Sequence, residues 1–504
     1  MKCAARCGAA VRWLAPRLGL AIASALLLFG LAEAFIRLTI PRPAPVHLRD
    51  GIFVSQLPLV SGRDTVDRQS GSPLPITKRP GERRVFVFGE SSVQGSPWGY
   101  HGSPVTMLYD QLHASAPTLD LTVVNMGRGA AFTRDAYYFL DSVEVFRPDV
   151  IVFYMGNNDL YRGDGELCLP ATHPRLHATW RWVVERSRLL WTLRALGPYE
   201  YSRRRGSSNV PSGFMQPDDC DPELAFTAWT EVLVRRARAM GAAVVVATPI
   251  QNALMPIEGR VDWNAHAQHQ RSESYDRLLR CQLTPGCDLA PVLVRENFPP
   301  PWDNHGRGRP LASRERAWRY TAAQHGAALV DFAEDVARLT NGMPLPPLLV
   351  DEVHLDLDGY WRLAWRLASA VRPLLDGGPA PRDLQPGEPP PFDRERYLRS
   401  SGGTQGIACK LLRHALPYER AGRILTLAAI LRLASNLDRT APDRPATTPA
   451  GRVSQLLLGK LRQEVGLSPD LPAPLAERLG LADFEHVRHD IAHSPDCAAL
   501  RWID

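Results

Sequence analysis

Short apolar runs rich in β-branched and aromatic residues alternate along the middle of the chain with longer segments of helical apolar spacing. The runs cover residues 84–88, 121–125, 149–155, 243–247 and 327–331. Helical spacing covers residues 105–114, 133–146, 222–240, 272–281 and 314–325, and a longer helix is predicted at 357–375. Strands that alternate with helices favour a parallel sheet covered on both faces, with any chemistry at the carboxyl ends of the strands.

The start of the chain has a different pattern. Basic residues precede an apolar run over residues 18–36, whose only polar members are Ser24 and Glu33. Because about 20 apolar residues cross a bilayer and basic flanks stay cytoplasmic, residues 1–40 are predicted to form a transmembrane anchor. A cleaved signal peptide is the alternative, since Ala32-Glu33-Ala34 resembles a cleavage site. Either interpretation places the rest of the chain outside the cytoplasm, in a periplasmic or extracellular location.

Changes in composition divide the rest of the chain. Residues 41–82 are rich in proline and glycine and are predicted to be a stalk or lead-in. Residues 83–376 carry the alternation of strands and helices, with a Trp-rich and Arg-rich insertion at about 167–216. A Pro-rich linker is predicted at 377–393, and a mostly helical C-terminal domain of unknown role at 394–504.

Overall composition narrows the class of protein. The 504 residues are 45% hydrophobic and 22% charged, which is typical of a globular chain with more than one folded unit. The formal net charge of +6 is mild and the arginines do not cluster, so nucleic acid is not an expected partner. Among the eight cysteines, Cys281 and Cys287 flank a Pro-Gly turn and are predicted to form a local disulfide in an oxidising compartment.

Four short motifs follow one another in the chain, three of them at the ends of predicted strands. They are GESS at 89–92, NMGRGA at 125–130, GNND at 156–159 and DEVH at 351–354. Each is weak alone, because a serine after a strand is usually a helix cap, and so is the aspartate of an isolated DxxH. Their joint order is much rarer than any single motif.

In this order the motifs resemble those of the SGNH hydrolases, also called the GDSL family, over about residues 84–375. The likeness extends to a membrane-anchored bacterial subgroup with FGES and YMGNN blocks. The resemblance implies a flavodoxin-like parallel sheet sandwiched by helices and an esterase or lipase activity. It assigns the nucleophile to Ser91 and the catalytic acid and base to Asp351 and His354.

The resemblance also implies an oxyanion hole. Its donors would be the backbone N–H of Ser91, the backbone N–H of Gly129 or Ala130, and the side-chain amide of Asn158. Two departures stand out: Glu90 replaces the family's usual aspartate, and Ala130 occupies the position where many relatives have glycine. A backbone donor needs no particular side chain, so Gly129 and Ala130 both remain candidates. No metal or organic cofactor is expected.

The chemistry of these residue types supports the same assignment. A serine hydroxyl is a weak nucleophile, so it needs an imidazole such as that of His354 to accept its proton. Asp351, three residues earlier, can hold the other ring nitrogen and stabilise the imidazolium. Ser91 lacks the GxSxG elbow of the α/β-hydrolases, and the chain lacks the HExxH motif of many metalloproteases.

These observations predict an exported, membrane-anchored serine hydrolase that cleaves carboxylic esters through an acyl-enzyme, with envelope glycan or lipid esters as substrates. Two alternatives remain open: O-acetyl transfer on an envelope glycan, and a catalytically inactive envelope scaffold. In the scaffold alternative the C-terminal helical domain would bind a protein partner.

The tail contains one further pattern, in which Arg488 and His493 have the R-x4-H spacing that resembles HEPN ribonucleases. His486, His489 and His493 could instead bind a metal on one helix face. A plain packed helix is the preferred interpretation, since Phe484, Val487 and Ile491 form one apolar stripe.

Overall fold

The computed structural model describes residues 2–39, 77–129, 143–160, 222–252, 273–295, 310–340, 348–381, 393–437 and 449–464, apart from 285, 401–402 and 421–423, with shorter pieces between these ranges. The predicted insertion at 167–216 lies outside the described residues except for Thr179, Ser187 and Leu189. The tail motif at 484–493 also lies outside them.

Helix α1 (Lys2–Thr39) contains the predicted apolar segment. Its stretch Gly19–Leu38 has a mean hydropathy of 2.1 and no buried residues, so it is long and apolar enough to anchor in a membrane or to act as a signal sequence. Two charged residues within it, Glu33 and Arg37, pair with each other at 2.6 Å. The Glu33 carboxylate also accepts hydrogen bonds from Ser187 Oγ and the Leu189 N–H, each 2.8 Å long.

The lead-in after α1 contains structure that the sequence pattern did not predict. Strands β1 (His47–Arg49), β2 (Ile52–Val54) and β3 (Val66–Asp67) form a small antiparallel sheet. Strands of two or three residues are too short to show a periodicity, so the sequence offered no signal for them.

The main sheet has five parallel strands in the order β5-β4-β6-β7-β8. They are β4 (Arg83–Gly89), β5 (Leu121–Gly127), β6 (Val150–Tyr154), β7 (Ala243–Ala247) and β8 (Ala328–Val330). Alternate residues of β4 face opposite sides: Val85 and Val87 belong to one buried cluster, and Phe86 and Phe88 to the other. The predicted parallel sheet covered on both faces is confirmed.

Helices cover both faces of this sheet, and the helices predicted from the sequence occur within a few residues of their expected bounds, except the one at 133–146, which the structure describes only in part. In chain order they are α2 (Ser91–Gln94), α3 (Pro104–Ser115), α4 (Pro222–Ala239), α5 (Glu273–Leu283), α6 (Leu289–Arg295), α7 (Pro310–His325), α8 (Phe332–Leu339) and α9 (Leu357–Asp376). Short 3₁₀ turns lie at Tyr100–Gly102, Glu144–Phe146 and Asn158–Leu160. The described part of residues 133–146 consists of scattered helical positions and the second of these turns.

The bounds of α9 follow from its sequence. Asp356 caps the N-terminus by accepting a hydrogen bond from the Gly359 N–H at 2.7 Å. Gly377 ends the helix with φ of 72°, a left-handed conformation that favours glycine. The DEVH motif ends two residues before α9, so the cap at Asp356 fixes where the motif meets the helix.

The C-terminal region is helical where it is described: α10 (Arg394–Ser400), α11 (Gly403–Arg420), α12 (Ile424–Asn436) and α13 (Pro449–Glu464). Tyr397, Ile407, Leu411 and Leu425 from these helices belong to the same buried hydrophobic cluster as Val85 of β4. The C-terminal helices therefore extend the core on one face of the sheet.

The predicted disulfide between Cys281 and Cys287 is confirmed. It closes a loop at the end of α5, with the two Cα atoms 5.3 Å apart. α13 contacts the same loop, because Arg462 Nε donates a hydrogen bond to the Leu283 carbonyl at 2.9 Å.

Candidate active site

Ser91 lies immediately beyond the carboxyl end of β4, at the first residue of the short helix α2. Two glycines let neighbouring backbone segments approach this turn. A Cβ on Gly127, at the end of β5, would lie 2.2 Å from the Gln94 nitrogen, and a Cβ on Gly89 would lie 2.5 Å from the Tyr154 carbonyl oxygen. Any larger residue at these positions would push α2 away from the strand ends, so the placement of Ser91 depends on both glycines.

The DEVH loop is fixed in place by hydrogen bonds from two sides. Asn252, just beyond β7, donates its backbone N–H to the Glu352 carbonyl and its side-chain Nδ2 to the Asp351 carbonyl, both at 2.8 Å. From the other side, the Trp98 indole N–H donates to the Leu355 carbonyl at 2.9 Å. This loop is thus fixed beside the turn that carries Ser91.

The structure brings Ser91, His354 and Asp351 into one hydrogen-bonded chain. His354 Nε2 lies 2.7 Å from Ser91 Oγ, and His354 Nδ1 lies 2.5 Å from Asp351 Oδ2. A carboxylate only accepts hydrogen bonds, so the His354 proton must sit on Nδ1. The lone pair on Nε2 then faces the Ser91 hydroxyl and can accept its proton, as a general base must.

The Asp351 side chain is fully buried and its carboxylate is saturated with donors. Its Oδ1 accepts the backbone N–H groups of Val353 and His354, each at 2.8 Å. Burial by itself would raise the pKa of Asp351, but the adjacent His354 and His414 imidazoles and their hydrogen bonds hold that pKa well below its ordinary value. Asp351 therefore stays ionised and can stabilise a positive charge on His354.

The structure places only some of the predicted oxyanion donors. Asn158 opens the 3₁₀ turn after β6, and its Nδ2 donates one hydrogen bond to the Ala131 carbonyl at 2.9 Å. An amide group has two N–H bonds, so this contact orients the side chain and leaves the second N–H for another acceptor. Gly129 is exposed near α2, whereas Ala130 lies outside the described residues.

Glu90, the departure from the family pattern, links the nucleophile turn to the Asn158 turn. Its Oε1 accepts the backbone N–H groups of Gly156 at 2.9 Å and Asn158 at 3.1 Å. Burial and the nearby Asp159 carboxylate raise the pKa of Glu90 to about 8, against the opposing effect of these backbone donors. The longer side chain thus holds the candidate oxyanion donor next to the candidate nucleophile.

His414 was not predicted from the sequence as part of this site, because an isolated histidine in a helical tail carries no motif. It lies on α11, and its Nε2 contacts Asp351 Oδ2, the same oxygen that binds His354. The rings of His354 and His414 pack edge to face with centroids 5.3 Å apart. The ligand atoms of this trio lie within 4.8 Å of one another, a spacing that would also suit a metal ion. In the structure, however, both imidazoles contact the carboxylate directly. Direct contact is typical of hydrogen-bonded groups, so we interpret the trio as hydrogen-bonded.

No family model matches the chain, and a search of curated proteins finds no match. Among solved structures, the chain is similar to LAE5, an alpha/beta hydrolase enzyme from the metagenome of Lake Arreo, with 16% identity, a TM-score of 0.32, and coverage of 58% of this chain and 96% of that one.

It is also similar to a variant of Axe2, an acetylxylan esterase from Geobacillus stearothermophilus, with 15% identity, a TM-score of 0.31, and coverage of 60% and 98% of the two chains. A putative GDSL-like lipase from Parabacteroides merdae shows 12% identity, a TM-score of 0.32, and coverage of 59% and 99%. At such low TM-scores these similarities do not assign an activity.

Proposed function

We propose that this protein is a serine ester hydrolase of the SGNH type, with Ser91 as nucleophile, His354 as general base and Asp351 as the carboxylate that orients His354. One observation supports this above all: Asp351, His354 and the Ser91 hydroxyl form a continuous hydrogen-bonded chain although Ser91 and His354 are 263 residues apart in the sequence. Such a chain is what nucleophilic catalysis by serine requires.

The geometry supports an acyl-enzyme route in two steps. Ser91 Oγ attacks the ester carbonyl carbon while His354 Nε2 takes the hydroxyl proton, and the resulting oxyanion is bound by the backbone N–H of Ser91, that of Gly129 or Ala130, and Asn158 Nδ2. His354 then gives its proton to the leaving alcohol, which leaves an acyl group on Ser91. Water activated by His354 breaks the acyl bond and restores the free serine. A sugar hydroxyl in place of this water would make the same site an acyltransferase.

The proposed setting is outside the cytoplasm, with the chain tethered by α1. Two features support it: the exposed apolar stretch Gly19–Leu38, and the disulfide between Cys281 and Cys287, a bond that persists mainly in oxidising compartments. Ester groups on envelope glycans or lipids are the substrates available to an enzyme held there. We further propose that residues 83–376 form the hydrolase domain and that residues 394–504 form a helical C-terminal domain, whose described helices α10–α13 pack on the core of the sheet.

The test is hydrolysis of p-nitrophenyl acetate by the full chain in detergent. Ser91→Ala removes the nucleophile and is expected to lower kcat by about 10⁴-fold or more. Ser115→Ala is the matched control, since Ser115 is exposed at the far end of α3 and bonds only its own helix. Hydrolysis that survives in the Ser91 variant would exclude Ser91 as nucleophile. A wild-type chain without activity on any short-chain ester would favour an inactive scaffold.

A further inference from the structure

Helix α11 is held against the candidate site by its own apolar side chains. Ile407, Leu411 and Ala415 recur every four residues and are buried in the hydrophobic cluster on this face of the sheet. This packing fixes the position of the helix along its axis. It therefore also fixes where the side chains on the adjacent stripe of the helix surface lie.

That stripe carries Lys410 and His414, one helical turn apart. Lys410 Nζ donates a hydrogen bond to the Trp98 carbonyl at 3.4 Å, and His414 Nε2 reaches Asp351 Oδ2. Trp98 in turn holds the loop that follows Asp351. Both contacts of α11 therefore fall on the segments that flank the Ser91–His354 pair.

The contact with Asp351 completes the set of donors around one carboxylate. Since Asp351 Oδ2 can only accept, His414 Nε2 must carry a proton, as His354 Nδ1 does. Oδ2 thus receives two imidazole N–H groups, while Oδ1 receives two backbone N–H groups. A carboxylate held at all four positions has no freedom to rotate away from His354.

We propose that His414 is a positioning residue of the active site. Through its hydrogen bond to Asp351 it keeps the His354 imidazole oriented toward Ser91, and it reduces the negative charge that the Asp351 carboxylate presents to His354. This inference rests on the proposed esterase function. It assigns the C-terminal helices a role in catalysis, because α11 supplies the hydrogen-bond donor His414 to the Asp351 carboxylate. By this assignment His414 acts through Asp351 and does not contact the substrate.

The charge effect has a definite sign. A hydrogen bond from His414 draws negative charge on Asp351 away from His354, so the imidazolium of His354 is stabilised less. Removing this donor should therefore make His354 easier to protonate and move the acid limb of the pH–rate profile to higher pH.

Other titratable or charged groups lie around Asp351 and α11 in the described chain: Tyr360, His101, Lys410 and the adjacent Glu352. Burial raises the pKa of Tyr360 well above its ordinary value, so it stays neutral. Burial, and then the charge of Lys410, lowers the pKa of His101. Substitutions at His414 leave all four groups in place, so differences among His414 variants report the contact with Asp351.

The test uses the full chain in detergent with two variants. His414→Phe keeps a ring but has no donor, whereas His414→Gln keeps an amide N–H that can reach toward the carboxylate. We expect His414→Phe to lower kcat about tenfold with KM within about twofold of wild type, and to shift the acid limb upward by about half a pH unit. His414→Gln should recover activity to within about threefold of wild type. His113→Phe, on the exposed face of α3, is the control.

A purely structural role predicts a different result. Both variants would then lose activity in step with their melting temperatures, by one factor at all pH values, and the acid limb would not move; this outcome overturns the proposal. Loss of wild-type activity in EDTA that Zn²⁺ restores would also overturn it, because an ion would take the place of the two protons.

The contact is also measurable without turnover, which separates this proposal from the esterase assignment. In ¹⁵N-histidine-labelled protein, we expect low-field ring N–H signals from both His354 and His414, and only the His354 signal in His414→Phe. Two unchanged signals in that variant would show that His414 does not bond to Asp351. A wild-type chain that shows both signals but hydrolyses no ester would refute the proposed function and leave the contact established.

Discussion

Replacing Asp351 with asparagine should inactivate the enzyme through the orientation of a single amide. The Oδ1 position accepts two backbone N–H groups, from Val353 and His354, both at 2.8 Å. An amide NH₂ group placed there would face two donors and leave them unsatisfied, at a cost of about 1–3 kcal/mol each. The asparagine oxygen therefore stays at this position, and its NH₂ group faces His354 Nδ1 and His414 Nε2, which must both become acceptors.

This orientation reverses the tautomer of His354. Facing a donor, Nδ1 must become the acceptor, so the proton moves to Nε2, which lies 2.7 Å from Ser91 Oγ. The imidazole then cannot accept the serine proton. Returning to the productive orientation costs roughly 2–6 kcal/mol for the two backbone donors, or about 30-fold to 10⁴-fold in rate. Because the negative charge that stabilises the imidazolium is also lost, we expect kcat to fall by about 10⁴-fold.

The assay is hydrolysis of p-nitrophenyl acetate near pH 7.5 over a range of substrate concentrations, with melting temperature measured in parallel. KM should change little, since Asp351 is fully buried. Asp358→Asn, the same chemical change in the first turn of α9, is the control. If Asp351→Asn is folded and keeps kcat within tenfold of wild type, catalysis does not depend on the hydrogen bonds that join Asp351, His354 and Ser91.

Two further predictions concern the oxyanion donor and a buried ion pair. Asn158→Ala should lower kcat by about 10²–10³-fold with little change in KM, measured with the same ester. Glu82 has a pKa lowered to about 2, because hydrogen bonds from Arg84, the Arg79 backbone and Thr122 outweigh the effect of burial. A depressed carboxyl pKa contributes stability above about pH 4.5 that is lost as the pH falls toward 2, so Glu82→Gln should cost about 3 kcal/mol at pH 7 and progressively less below pH 4.5, as measured by unfolding at several pH values.

Both predictions have a clear contrary result. An Asn158→Ala variant within about threefold of wild type would place the oxyanion donor elsewhere. For the ion pair, Glu144→Gln is the control, because Glu144 pairs with Arg236 on the surface and such pairs contribute at most about 1 kcal/mol. An equal stability loss in the two variants, or a loss in Glu82→Gln that does not shrink in acid, would contradict the role assigned to the buried pair with Arg84.

The sequence by itself determined the sheet, because its strands are buried on both faces and appear as uninterrupted apolar runs. Residues 84–88 and 243–247 could be recognised as strands, and the structure has them as Arg83–Gly89 and Ala243–Ala247. α9 was equally visible from its apolar periodicity and the DEVH motif before it. The strands at His47–Arg49 and Ile52–Val54 escaped prediction because three residues cannot establish a period.

The candidate site divides in the same way. Ser91, Asn158, Asp351 and His354 could be predicted as site residues from the sequence, because each is part of a short local motif that follows a strand or precedes a helix. Only the tertiary structure decided that the imidazole of His354 lies 2.7 Å from Ser91 Oγ, since loop closure over 263 residues depends on packing across the whole sheet. The role of His414 depended on tertiary structure even more. Its contact with Asp351 arises from how α11 packs on the hydrophobic core, and no local pattern around a single histidine encodes the position of a distant carboxylate.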